Sequence, residues 1–253
     1  MLSITADQVE ALQAARVVSF ADELAAHLRT FAPRNVEAMG ADALHETIRL
    51  GLANARKHGF SGRAAVRFYV EVMLMLGSFF DADPQYHAIA RELRAPGSEL
   101  ERADRLHAQV MAYVDSACGP DNEYELAALE RVLALPPQQL EAFAANDVAA
   151  TVGLLQRLHP EKVHTVGEAA VASLVRRAHA MAAERGPAWA GGGALFAALT
   201  FTFGHACFED PQYPWLAAAL AAAPAADAEA TLRRVLNRYL AFLAGARAGA
   251  GVR

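Results

Sequence analysis

Asp83-Pro84-Gln85-Tyr86 returns as Asp210-Pro211-Gln212-Tyr213, 127 positions later. At that shift residues 31–86 align with 158–213 without a gap, and 13 of the 56 pairs are identical. Roughly four to five identities would follow from so alanine-rich a composition. The matches include Pro33/Pro160, Val36/Val163, Gly40/Gly167, Arg49/Arg176, Gly59/Gly186 and Gly77/Gly204. Proline and glycine set the backbone path rather than the surface, so the repeat predicts a duplicated fold. The match extends outward at shifted offsets, Val9 to Leu12 with Leu140 to Phe143 at 131 and Tyr113 with Tyr239 at 126. Four residues are about one helical turn, which predicts a shorter first helix in the second copy.

Apolar spacing throughout is helical. Val9, Leu12, Phe20, Leu24 and Leu28 place one amphipathic helix over about 6–30, with a capping-box spacing at Thr5 and Gln8. Leu44, Ile48 and Leu52 lie four apart on a second main helix that Gly59 stops. Residues 66–80 are apolar nearly all round, the mark of a helix enclosed by others, with Ser61 as its expected N-cap. Asp83 followed by Pro84 reads as a cap and first helical residue. Ser98 with Glu101 and Asn122 with Glu125 have capping-box spacing.

In the second half, helices are expected near 137–144, 147–158, 167–185, 192–207, 211–223 and 227–244. The fold class is therefore all-α, two tandem helical-bundle units related by a pseudo-twofold axis. Residues 1–120 form unit one, 121–135 a connecting helix, 136–246 unit two and 247–253 a flexible tail.

The net charge is −5 and no Lys/Arg run occurs, so there is no footprint for nucleic acid or an anionic membrane. No secretory leader and no apolar run of spanning length is read, which predicts a cytoplasmic protein. Cys118 and Cys207 are two thiols in unlike places, expected reduced.

Candidate chemistry is sparse. Asp83 and Asp210 are read as helix caps, with a carboxylate pair for acid/base work as the competing reading. Arg49 and Arg176, the basic residues kept in both copies, are expected to bridge to Asp83 and Asp210 respectively, because a planar guanidinium fixes a carboxylate's orientation. Glu71 in the apolar central helix calls for a partner, Arg67 or Arg49, or for exposure; a buried catalytic base is the alternative. His205 and Cys207 point about 200° apart on a helix and cannot chelate one ion. Gly191-Gly192-Gly193 lacks the lysine of a phosphate loop and reads as a hinge or close-packed turn. No metal, cofactor or catalytic residue is assigned.

Leu76-Gly77-x-x-Phe80-x-x-Asp83-Pro84-Gln85-Tyr86, and Phe203-Gly204-x-x-x-Phe208-x-Asp210-Pro211-Gln212-Tyr213-Pro214-Trp215, resemble the LGxxFDxDPxxPW signature of small helical bacterial proteins encoded near type VI secretion effectors. The stretch Ile4 to Leu12 is similar too. The first copy departs from the signature, with His87-Ala88 where Pro-Trp is wanted. The resemblance implies an adaptor, chaperone-like or immunity protein that binds a secreted effector or secretion component. Tyr86, Tyr213, Trp215 and Trp189 are candidate anchors for that partner, with core packing as the competing reading for all four, the tyrosines above all. The alternative is an enzyme or small-molecule sensor with a pocket between the units, lined by Glu71, Asp83, Asp210 and His205. A monomer is expected, since the duplication supplies internally what pairing would.

Overall fold

The computed structural model describes residues 5–136, 147–184, 192–222, 234, 236–238 and 241, and the side chains of 6–16 are outside that description. The expected helix over 137–144, most of that over 227–244, the 245–253 tail, Gly191 and Trp189 also lie outside the described residues.

Among the described residues the chain is helical, without strands. The first half runs α1 (Ala6–Phe31), α2 (Pro33–Met39), α3 (Ala41–Lys57), α4 (Arg63–Leu76), α5 (His87–Arg94) and α6 (Glu99–Ala117), then α7 (Glu123–Ala134). The second runs α8 (Val148–Leu158), α9 (Pro160–Val166), α10 (Glu168–Glu184), α11 (Gly192–Phe203) and α12 (Pro214–Ala222). The bounds of α9 and α10 are those of α2 and α3 moved by 127, and the glycines between them, Gly40 and Gly167, take φ of +82° and +85°.

Two helices organise the core. On α4, Val66, Tyr69, Val70, Val72, Met73, Leu74 and Leu76 are buried, while Arg67 keeps one edge in solvent. On α11 every residue is buried, so the all-round apolar pattern is realised more completely there. Close approach explains Gly51: a Cβ on it would stand 2.7 Å from Val70 Cγ2 and 3.0 Å from Met73 Sδ, so side chains of α4 pack directly on the α3 backbone there. The halves also pack on each other, α6 against α9 and the Pro84–Tyr86 turn against α10.

Local capping follows the sequence in part. Ser98 and Glu101 form a complete capping box at α6, and Gly59 ends α3 with φ +71°. Ser61 does not cap α4. Instead Glu99, reaching from α6, accepts from the backbone N–H of Ser61 at 3.1 Å and of Gly62 at 2.7 Å, and from the Ser61 hydroxyl at 3.1 Å. A carboxylate there is favoured over a hydroxyl by the positive end of the helix. Asn122 makes no capping bond either; it and Asp121 sit consecutively at φ +58° and +49°.

Beyond α4 the chain turns through Phe80–Ala82, and Asp81 binds His58 Nε2 at 2.8 Å. Burial alone would raise the Asp81 carboxyl, but the hydrogen bond and charge of His58 pull further the other way and leave its pKa lowered. A depressed carboxyl stabilises the fold above its unfolded value and loses that contribution as pH falls through its folded value. Asp81→Asn is therefore expected to cost about 1.5–3 kcal/mol at pH 7, with the deficit shrinking towards pH 3. Thermal unfolding across that range checks it, and a deficit independent of pH refutes it.

Candidate functional site

The repeated tetrapeptides are buried and bonded across the molecule. Asp83 accepts from Gln85 N–H at 2.9 Å, as a cap does, and its other oxygen accepts from His205 N–H at 2.7 Å. Asp210 accepts from Gln212 N–H at 2.9 Å, and from Ser78 through N–H at 2.7 Å and hydroxyl at 2.6 Å. The glutamines follow suit: Gln85 Nε2 donates to the Thr200 carbonyl at 3.2 Å, and Gln212 Nε2 to the Met73 carbonyl at 2.7 Å. Ser78 and His205, and Met73 and Thr200, are each 127 apart. Each motif is thus tied to the turn that precedes the other motif.

Gly77 and Gly204 make those turns possible. Their φ values are +95° and +99°, and a Cβ on Gly77 would stand 3.2 Å from the Phe203 carbonyl. The surrounding rings keep their roles with a one-residue slip: Phe80 lies 5.1 Å from Tyr69, and Phe208 lies 4.7 Å from Phe196. Relative to its glycine and aspartate, the second phenylalanine sits one position later.

This arrangement corrects the expected Arg bridges. Arg49 is exposed and holds Glu46 one turn away, at 2.7 and 2.5 Å, and Arg176 is exposed as well. Both lie on the outer face of their helix, whereas Asp83 and Asp210 are 3% and 4% accessible. Nor is there an active-site cleft of the expected lining. The gap between the two turns, bounded by Asp83, His205, Cys207 and Asp210, has no room for a water molecule. His205 Nδ1 lies 3.3 Å from Asp83 without hydrogen-bond geometry, and burial drives the Cys207 thiol well up and the Asp210 carboxyl up from their usual ranges. Glu71 is elsewhere, 15% exposed, with His27 at 2.6 Å and Arg67 at 3.6 Å. The local Arg67 was anticipated; the histidine from α1 was not.

Pro84 opens a short 3-10 turn and Pro211 is half-buried. Of the proposed anchors, Tyr86 is 3% exposed and packs edge-on to Tyr113, at 5.2 Å, so it belongs to the core. Tyr213 and Trp215 are half-buried and form a cluster with Phe203, at ring distances of 5.1 and 5.6 Å from it.

Phe203 and Tyr213 also line an open cavity of about 520 Å³ between the α1–α2 junction, the α6–α7 junction and the end of α11. Phe31, 42% exposed, adds a third ring. Leu126, Leu129 and Met75 are apolar lining, and Asn35, Asp121, Asn122 and Glu125 are polar. The consecutive left-handed residues Asp121 and Asn122 are on its rim. Non-glycine residues in that region cost about 1–3 kcal/mol each and gather at functional sites.

Behind the lining, Lys162 is 7% exposed and donates to the Phe201 carbonyl at 2.5 Å. Burial lowers its pKa, against the pull of Glu125 and Cys118. Burial raises the Glu125 carboxyl, which Lys162 and Cys118 offset in part. Cys118 is pushed up to about 12, first by burial and then by Glu125, so it is no ready nucleophile. His159 is held well below its usual value by burial, Lys162 and Arg131.

None of Glu125, Lys162 or Cys118 was singled out for this cavity from sequence. The one available signal was that Lys162 replaces Asn35 at the 127 shift, and Glu125 had been read as part of a cap. Among the described residues no cluster of metal-ligating side chains occurs and no helix is long and apolar enough to cross a membrane. Comparison with known proteins finds no matching family model, no matching curated protein and no matching solved structure.

Proposed function

We propose that this chain is a non-catalytic binding protein, a cytoplasmic monomer of two duplicated halves about a pseudo-twofold axis, whose partner enters the Phe31–Tyr213 cavity. The cavity itself carries the reading: it is open, walled by aromatic rings and mixed in polarity, as partner-binding pockets are. The groups with catalytic chemistry support it from the other side, because Asp83, Asp210 and their neighbours are consumed by backbone donors in a closed interface. The reciprocal bonds at a constant 127 shift support the duplicated arrangement. The resemblance of both motif stretches to the signature of proteins encoded near type VI secretion effectors is what supports the setting: an adaptor, chaperone-like or immunity role, with a secreted effector or secretion component as partner.

The test is a native-host pull-down followed by titration of the purified captured protein against wild type, Asn35→Trp and Arg49→Ala. Filling the cavity with an indole is expected to weaken binding at least about thirtyfold, the scale of one hot-spot residue, and the exposed Arg49 change to leave it unaltered. Equal affinities for all three would end the reading. A volume of about 520 Å³ is also that of a small-molecule site, which favours the sensor as second reading. A small compound whose stabilisation of the fold disappears in Asn35→Trp would establish it.

A further inference from the structure

A second pocket, of about 210 Å³, opens on the seam between the halves, walled by the turn into α5, by Gln109 and Tyr113 of α6, and by the end of α9. Tyr86 and Ala88 are both in its lining. The duplication supplies a filled counterpart. At the 127 shift these two residues correspond to Tyr213 and Trp215, and α5 and α12 begin at corresponding residues, His87 and Pro214. Burial agrees as well: residues 84, 85, 87, 88 and 89 are half-buried, buried or exposed as 211, 212, 214, 215 and 216 are. In the second half the Trp215 indole stands edge-on to Tyr213, with 6.1 Å between ring centres. In the first half the equivalent position carries only a methyl group, and open space adjoins it.

The pocket is also neutral. Its described lining has no carboxylate, lysine or arginine. The Ser116 and Thr165 hydroxyls donate to carbonyls of their own helices, at 2.8 and 2.9 Å. Gln85, another lining residue, has a buried amide oxygen without a hydrogen-bond partner, an acceptor that a ring N–H can satisfy.

We infer that this pocket binds an uncharged aromatic small molecule of indole size, its ring standing to Tyr86 as the Trp215 indole stands to Tyr213. A charged ligand would find no counter-ion there. A tryptophan presented by another protein carries the same ring, but a space of about 210 Å³ is below the range of about 300–1,000 Å³ for larger ligands and suits a ring without its backbone. The pocket shares no described lining residue with the Phe31–Tyr213 cavity, so the assignment does not depend on that cavity's reading.

Indole is titrated by isothermal calorimetry into the full chain as wild type, Ala88→Trp and the exposed Arg49→Ala. One indole is expected to bind per chain of wild type and Arg49→Ala. Ala88→Trp builds the second half's indole into the first and is expected to weaken binding at least about tenfold, with its urea midpoint at or above that of wild type. In the wild-type complex, nuclear Overhauser contacts are expected between the indole ring and the Ala88 methyl, a reading that needs no variant. N-acetyltryptophanamide, which carries the ring as a polypeptide does, is expected to bind at least about tenfold more weakly than indole. No binding of indole, equal affinity for wild type and Ala88→Trp, no Overhauser contact at Ala88, or N-acetyltryptophanamide binding as tightly as indole overturns the inference. So does binding that Asn35→Trp abolishes and Ala88→Trp leaves intact, since the ring would then occupy the Phe31–Tyr213 cavity.

Discussion

Gly77→Ala is expected to destabilise the protein by about 2–4 kcal/mol, combining the strain of its backbone region with overpacking. At φ +95° and ψ +152° the position lies where residues other than glycine are strained, and the added methyl would press to 3.2 Å on the Phe203 carbonyl. That carbonyl belongs to the C-terminal residue of the buried helix α11, so it has little freedom to retreat. Gly40→Ala is the internal control. Its φ is +82° but nothing stands within 4 Å of a new Cβ, so only backbone strain of about 1–2 kcal/mol applies. Gly204→Ala, with φ +99° and nearest atoms at 3.6 Å, should fall between. Urea unfolding of the three variants gives the order directly, and equal losses at Gly77 and Gly40 would show that the crossing at Gly77 is not tight.

Asp210→Ala is expected to cost about 3–5 kcal/mol, because it leaves Ser78 N–H and Gln212 N–H buried without acceptors at about 1–3 kcal/mol each. Asp210→Asn preserves the shape but offers one acceptor oxygen where three donors converge, so it should cost about 2–3 kcal/mol on the same scale. Ser78→Ala removes only the hydroxyl, about 1 kcal/mol. A double-mutant cycle on Ser78 and Asp210 should show a coupling of about 1–2 kcal/mol. A cycle that sums to zero would mean the bond across the halves contributes nothing to stability.

What could be read ahead of the structure was local. Helical spacing placed α1, α8 and α10 within a residue or two, and Ser98 with Glu101 announced its capping box, because both depend on neighbours a few positions apart. Asp83 and Asp210 were legible as acceptors of the N–H two residues on, but each heads a short turn, and the helices expected from Pro84 and Pro211 begin only at His87 and Pro214. Their second role was not legible, since a repeat shows that two turns are alike without showing whether an aspartate meets its own turn or the other. Arg49 and Arg176 misled by their recurrence at the 127 shift: both positions face solvent. Glu125 misled through spacing, because Asn122 took a left-handed conformation that a cap does not use and so released the glutamate to the cavity. The cavity was invisible in advance, since its walls come from α1, α2, α4, α6, α7 and α11, which no period in the chain brings together.

The exchanged turns also put the molecule under a schedule. Ser78 and its acceptor Asp210 are 132 residues apart, which at ribosomal rates is roughly 7 to 26 s of synthesis. Through that interval the N–H and hydroxyl of Ser78 are without the carboxylate that later accepts from them. The later motif is therefore a late fastener, and the bonds it makes to the early half form only after it has been synthesised.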